Sequence, residues 1–227
     1  MAAANRLVVF IALISLTSSP ALATDGKPLQ DYCVADKGGG TRGIKTATLP
    51  MNGFACKPPQ SVTPNDFTFS GLNKPGDTAN PAGFKVTLVT VDQIPGLNTQ
   101  GLSMGRLDFG PGGVNAPHIH PRASEMLIVM EGSLEVGFVT TLPETKLITK
   151  VLQAGEAFVF PQALTHYQRN VGKGPAVAIS ALDSQNPGTQ RVVAAVLGSN
   201  PKLPVEVVAK ALQADNNVAA QLLSKFK

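Results

Sequence analysis

Scarcity is the most informative property of this sequence. Among 227 residues there are three histidines, two cysteines, two tyrosines and no tryptophan. Aromatic residues make up only 5%, and none are interleaved with lysine and arginine in the way a nucleic-acid surface requires. Charge is sparse too: 19 basic residues stand against 15 acidic ones, without a Lys/Arg cluster. There is no phosphate-binding glycine loop and no Asn-x-Ser/Thr acceptor for N-glycosylation. Two cysteines without others nearby do not make a thiolate metal site. Beyond the N-terminus, no apolar run approaches the roughly 20 residues that span a bilayer.

The N-terminus explains itself. Arg6 is its only charge, Leu7 to Leu16 is apolar over the length of a signal h-region, and Ala21-Leu22-Ala23 offers small residues for cleavage. Residues 1–23 therefore read as a secretory signal peptide. On an oxidising route Cys33 and Cys56 read as a disulfide, worth roughly 3 kcal/mol on the chain-entropy model. Residues 24–64, rich in Gly, Lys and Pro, are expected to form an N-terminal arm tied by that bond, with little helix.

Residues 65–200 carry the strand signals. Phe67, Phe69 and Leu72 suggest a short strand followed by a loop, and 84–91 is β-branched and roughly alternating. Further strands are expected at 103–109, 118–120, 125–131, 133–140, 146–152, 157–160, 166–170 and 176–182. Gly or Pro stands at their breaks: 110–113, Gly132, Pro143, Gly155, Pro161 and 172–175. Short strands at this density indicate an all-β sandwich or barrel. In 125–131, Glu125, Leu127 and Val129 share one face while Met126, Ile128 and Met130 share the other. Both faces are apolar, so the outer one needs a cover, either the N-terminal arm or another subunit. Residues 201–227 change period: Val205, Val208, Ala209 and Leu212 recur at helical spacing, as do Val218, Leu222, Leu223 and Phe226 behind a cap at Asp215 or Asn216.

The three histidines stand beside strand ends marked by glycine and proline. His118 and His120 lie two apart, so on a strand both imidazoles face the same way. Glu125 has the wrong parity for that face unless the turn at 121–124 resets it. His166 follows Gly155 and Pro161 in a similar setting. A lone strand histidine is usually a satisfied core residue, but three of them with a glutamate make a divalent-metal site. Asn115, three residues before the first histidine, fits either a hydrogen bond to a small bound anion or a turn. Arg122 suits anion steering or an exposed turn.

At these positions the sequence resembles the germins and germin-like proteins of plants, in the cupin superfamily. One family box, a glycine, five residues, His-x-His, four residues, Glu, six residues and Gly, is met by Gly112, His118, His120, Glu125 and Gly132. A second is met by Gly155, Pro161, His166 and Asn170, with Ala163 where the family has glycine. That exchange is expected to cost some backbone freedom at a turn without abolishing the site. The resemblance implies a cupin-type jelly-roll β-barrel with an N-terminal arm and two or more short C-terminal helices. It also implies the Cys33–Cys56 disulfide, manganese on His118, His120, Glu125 and His166, a hexamer built as a trimer of dimers, and a place in the apoplast or cell wall.

Four protein ligands would saturate tetrahedral zinc but leave an octahedral ion two open positions, which favours manganese or iron on geometry. Affinity alone favours copper or zinc, and the family implies manganese. An ion that cycles between two oxidation states can take an electron from one superoxide and give it to the next, so a superoxide dismutase-like activity is expected. Oxalate oxidase, the activity of true germins, is the rival. There two asparagines help hold oxalate; Asn115 matches one, but the Ser-Met-Asn motif reads Ser103-Met104-Gly105 here. A missing amide donor in a buried pocket costs roughly 1–3 kcal/mol of binding. A non-catalytic wall, storage or receptor protein stabilised by its metal is the other class, and a hydrolytic activity finds no phosphate loop or basic pocket to support it.

Overall fold

The computed structural model describes residues 30–38 and 53–226. The signal-peptide reading of residues 1–23 lies outside them, as does much of the expected arm. Ten strands form two five-stranded sheets: β1 (Phe84–Val89), β2 (Ser103–Phe109), β3 (Val114–Ile119), β4 (Glu125–Glu131), β5 (Ser133–Val139), β6 (Leu147–Gln153), β7 (Ala157–Phe160), β8 (His166–Asn170), β9 (Ala176–Leu182) and β10 (Gln190–Arg191). The orders are β1-β2-β9-β4-β7 and β10-β3-β8-β5-β6, with every pairing antiparallel. This is the jelly roll expected from the sequence.

Strand alternation builds the core. Leu107 and Phe109 of β2, Leu127 and Val129 of β4, and Ala176 and Ala178 of β9 turn inward from one sheet. Leu134 and Val136 of β5 and Leu152 of β6 meet them from the other. Period-two patterning is what lets two sheets bury one face each while the opposite faces stay outside. Between β4 and β5, Gly132 sits at φ 78°, and a Cβ there would lie 2.7 Å from the Ala176 side chain, so only glycine makes this corner.

The remaining elements frame this core. The Cys33–Cys56 disulfide, with a Cα separation of 4.9 Å, ties the described parts of the arm together. At the start of the barrel the expected strand around Phe67 is instead a 3-10 turn, Pro64–Phe67. Pro64 fixes a helical φ, and the Asp66 carboxylate accepts from the Thr63 backbone N–H at 2.8 Å, so local capping overrides the aromatic alternation. At the C-terminus α1 (Val192–Leu197), α2 (Val205–Leu212) and α3 (Asn216–Lys225) form a second small core from Leu197, Val208, Ala209, Ala219 and Leu223. Asp215 caps α3, its carboxylate accepting from the backbone N–H groups of Asn217 and Val218.

Candidate metal centre

Four side chains converge inside the barrel near one end: His118, His120, Glu125 and His166, none more than 7% exposed. They come from both sheets. His118 on β3 is paired in register with His166 on β8. Glu125 opens β4 in the other sheet, after a turn at 121–122, and its parity with Leu127 and Val129 aims it inward. The sequence reading placed both histidines of the 118–120 pair on one strand, but β3 stops at Ile119 and carries an irregularity between Asn115 and His118. Pro117 has no N–H for the ladder at that irregularity, and His120 stands one residue beyond the strand's end, its ring centroid still 5.2 Å from that of His118.

Each imidazole is held by a backbone carbonyl. The Nδ1 atoms of His118, His120 and His166 lie 2.9, 2.6 and 2.8 Å from the carbonyl oxygens of Ala116, Gly188 and Leu164. A carbonyl can only accept, so each Nδ1 carries the proton and each Nε2 turns a lone pair into the site. The Glu125 Oε2 lies 3.1 Å from His120 Nε2 and 3.4 Å from His166 Nε2. One candidate ligand atom from each of the four residues lies within 4.8 Å of all the others. Glu125 Oε2 and His166 Nε2 are buried yet complete no hydrogen bond. Three nitrogen lone pairs and a carboxylate, desolvated and facing one another, require a cation, and this donor set fits a divalent one.

The electrostatics of the metal-free protein express the same demand. Burial, aided by the neighbouring His166, pushes His118 down to about 4. Burial alone would raise Glu125, but the facing His120 and His166 imidazoles outweigh it and hold the carboxyl at about 2. Burial likewise disfavours charge on His120, and the facing Glu125 carboxylate overcomes it, so His120 is raised. The Phe160 ring stacks on His166 at 4.6 Å between centroids and covers the cluster with apolar surface.

Around the cluster, Asn115 is paired in register with Gln168, and its amide donates to Gln168 Oε1 at 2.7 Å. Gln168 is fully buried and its Nε2 has no partner among the described residues. Sequence reasoning missed it, although strand alternation from His166 puts residue 168 on the same face. Arg122 is engaged as a turn residue, its Nε donating to Asn186 O at 2.8 Å. Gly105 on β2 faces inward, and a Cβ there would lie 3.0 Å from Ser180 Oγ. Ala163 takes a left-handed φ of 60°, and its N–H donates to His120 O at 3.1 Å, so the substituted turn still braces the second histidine.

Residues 70–220 match the sequence profile of the family described as Cupin. A putative germin-like protein 2-1 of Oryza sativa subsp. japonica is 48% identical over 98% of this chain and 100% of its own length. A putative germin-like protein subfamily 1 member 12 of Arabidopsis thaliana is 46% identical over 98% of both chains. Among solved structures, a recombinant oxalate oxidase in complex with glycolate superposes with a TM-score of 0.80 at 44% identity, covering 89% of this chain and 98% of that one.

Proposed function

This chain belongs to the cupin family, among its germin-like members, and on that premise we propose that it is a secreted manganese oxidoreductase that dismutates superoxide. The observation that carries the reading is the convergence of three Nε2 lone pairs and one carboxylate on a single buried point. Manganese held by His118, His120, Glu125 and His166 would supply one-electron chemistry between two oxidation states. The balanced reaction takes two superoxide anions and two protons to one dioxygen and one hydrogen peroxide. In it the three carbonyls keep the imidazoles in one tautomer, and Phe160 packs its apolar face against His166. The Asn115–Gln168 amide pair offers a donor to a small anion.

Oxalate oxidation is the second reading, favoured by the likeness to the solved oxalate oxidase and by Asn115. Gly105 weighs against it, since the inward position that would carry the second amide has no side chain and adjoins Ser180. The deciding experiment measures superoxide dismutation per bound manganese on the secreted protein, beside His166→Ala and with oxalate as the competing substrate. Activity that scales with manganese and disappears in the variant supports the dismutase. Oxalate turnover in its place selects the oxidase, and a loaded, folded, inactive protein selects the structural role.

The mature protein is also proposed to self-associate outside the cell. Met104, Met126, Ile128, Met130 and Val159 are all exposed on the outer face of the first sheet. A shallow groove of about 240 Å³ there is lined by Leu102, Met126, Val159 and Ala181. An apolar patch of this kind is rarely left in water. The disulfide and the signal-like residues 1–23 support secretion.

A further inference from the structure

His120 differs from the other two histidines in what holds it. His118 and His166 bond to carbonyls two residues away, whereas His120 bonds to Gly188 O, 68 residues distant. Gly188 ends a segment, 183–188, that is fastened on two sides. Toward the site, the Ser124 N–H donates to Asp183 Oδ1 at 2.7 Å, and Arg122 donates from its backbone N–H to Pro187 O and from Nε to Asn186 O. Away from the site, Val91 N–H donates to Gln185 O at 3.1 Å, Thr99 N–H donates to Gln185 Oε1, and Gln185 Nε2 donates to Asn98 Oδ1 at 3.3 Å.

Asn98 is fully buried and completes the connection to the disulfide. Its Oδ1 also accepts from Phe54 N–H at 2.9 Å; its Nδ2 donates to Phe54 O at 2.8 Å and lies 3.2 Å from Cys33 Sγ. A buried amide with both ends occupied is held in one orientation, because turning it over would set donors against donors. The contacts therefore run from the Cys33–Cys56 bond through Asn98 to Gln185, and the chain from 185 to 188 carries them to the carbonyl that holds the Nδ1 of His120.

We infer that 183–188 is a strap that positions His120, and that Gln185 and Asn98 are positioning residues joining it to the Cys33–Cys56 disulfide. The strap aims one metal ligand, so the inference rests on the metal reading but not on the dismutase reaction. Loosening the strap at Gln185 frees Gly188 O to drift, and His120 then loses its fixed tautomer and ring orientation. Groups that orient a ligating histidine from behind typically change metal affinity 10–100-fold.

The test uses the full secreted protein and reads two quantities. Histidine ¹⁵N NMR on metal-free protein reports the His120 tautomer, and a Mn²⁺ titration followed by EPR reports affinity and ligand symmetry. Gln185→Ala is expected to mix the His120 tautomers, to weaken Mn²⁺ binding about tenfold and to change the EPR line shape. Reducing the disulfide with a phosphine should do the same, and adding reduction to Gln185→Ala should bring no further loss, since both cut one connection. Lys57→Ala, which removes the Lys57–Asp66 pair from the same arm, should leave both readouts at wild type. Wild-type tautomer and affinity in folded Gln185→Ala overturn the inference. Should reduction unfold the protein, the disulfide-intact variant decides alone. If wild type binds no Mn²⁺, the metal reading fails and the NMR arm still judges the strap.

Discussion

His118 and His166 face each other as direct cross-strand partners on β3 and β8, their ring centroids 4.2 Å apart. Such closeness of two buried imidazoles makes sense when both give a lone pair to one cation. Replacing either with alanine should cut bound manganese to a small fraction of wild type and abolish dismutation, while circular dichroism stays unchanged. Metal should also stabilise the fold by mass action, about 2.7 kcal/mol at a hundredfold excess over Kd. Thermal melts with and without manganese check this: the shift should be present in wild type and absent in His166→Ala.

Ala163 holds a left-handed φ of 60°. An L-residue there costs roughly 1–2 kcal/mol, partly returned by the entropy glycine loses on folding. Ala163→Gly is therefore expected to stabilise the protein by about 0.5–1 kcal/mol, with manganese content unchanged. Denaturant unfolding of the metal-free protein checks it, and a destabilised variant would show the turn to be relaxed as it stands.

Lys57 donates to Asp66 at 2.6 Å and holds its carboxyl below the ordinary aspartate range, helped by the Thr63 N–H. A depressed folded-state pKa contributes stability above the unfolded value and loses it as pH falls through the folded one. Wild type should thus melt higher than Asp66→Asn at about pH 7, and the gap should close below about pH 4. A gap that persisted in acid would mean that Asp66 acts by packing and not by charge.

Met126 and Met130 are 56% and 55% exposed on the outward face of β4, with Ile128 between them at 38%. Placing glutamate at Met126 and Ile128 should split any assembly formed through this face, as read by sedimentation velocity. The four-residue metal cluster on the opposite face should still load. An unchanged sedimentation coefficient would leave the C-terminal helices as the surface to test.

The barrel and the four cluster residues were legible because alternation, glycine breaks and box spacing are local signals. What escaped the sequence is non-local or uncapped. The fixing of His120 by Gly188 spans 68 positions, and Gln168 acquires meaning only once β3 and β8 are paired. Helix α1 has no side-chain cap to announce it. Around Phe67 the signal was present but misleading, since an aromatic alternation sat on a segment whose proline and aspartate close a 3-10 turn. Parity did bring His118 and His120 together, their ring centroids 5.2 Å apart, although His120 stands one residue past the end of β3.

Gly105 offers the sharpest test of how the site chooses its substrate. Its backbone faces the interior, paired with Ser180, whose hydroxyl would lie 3.0 Å from an added Cβ. Gly105→Asn alone must push that hydroxyl aside, so the informative variant is Gly105→Asn with Ser180→Ala. The new amide should tighten oxalate by roughly 1–3 kcal/mol, a lower KM at little cost to dismutation. Steady-state assays with oxalate and superoxide on both proteins read the outcome. Wild type that already oxidises oxalate efficiently would show that one amide and the metal suffice. In that case the absent side chain at position 105 would no longer argue for the dismutase.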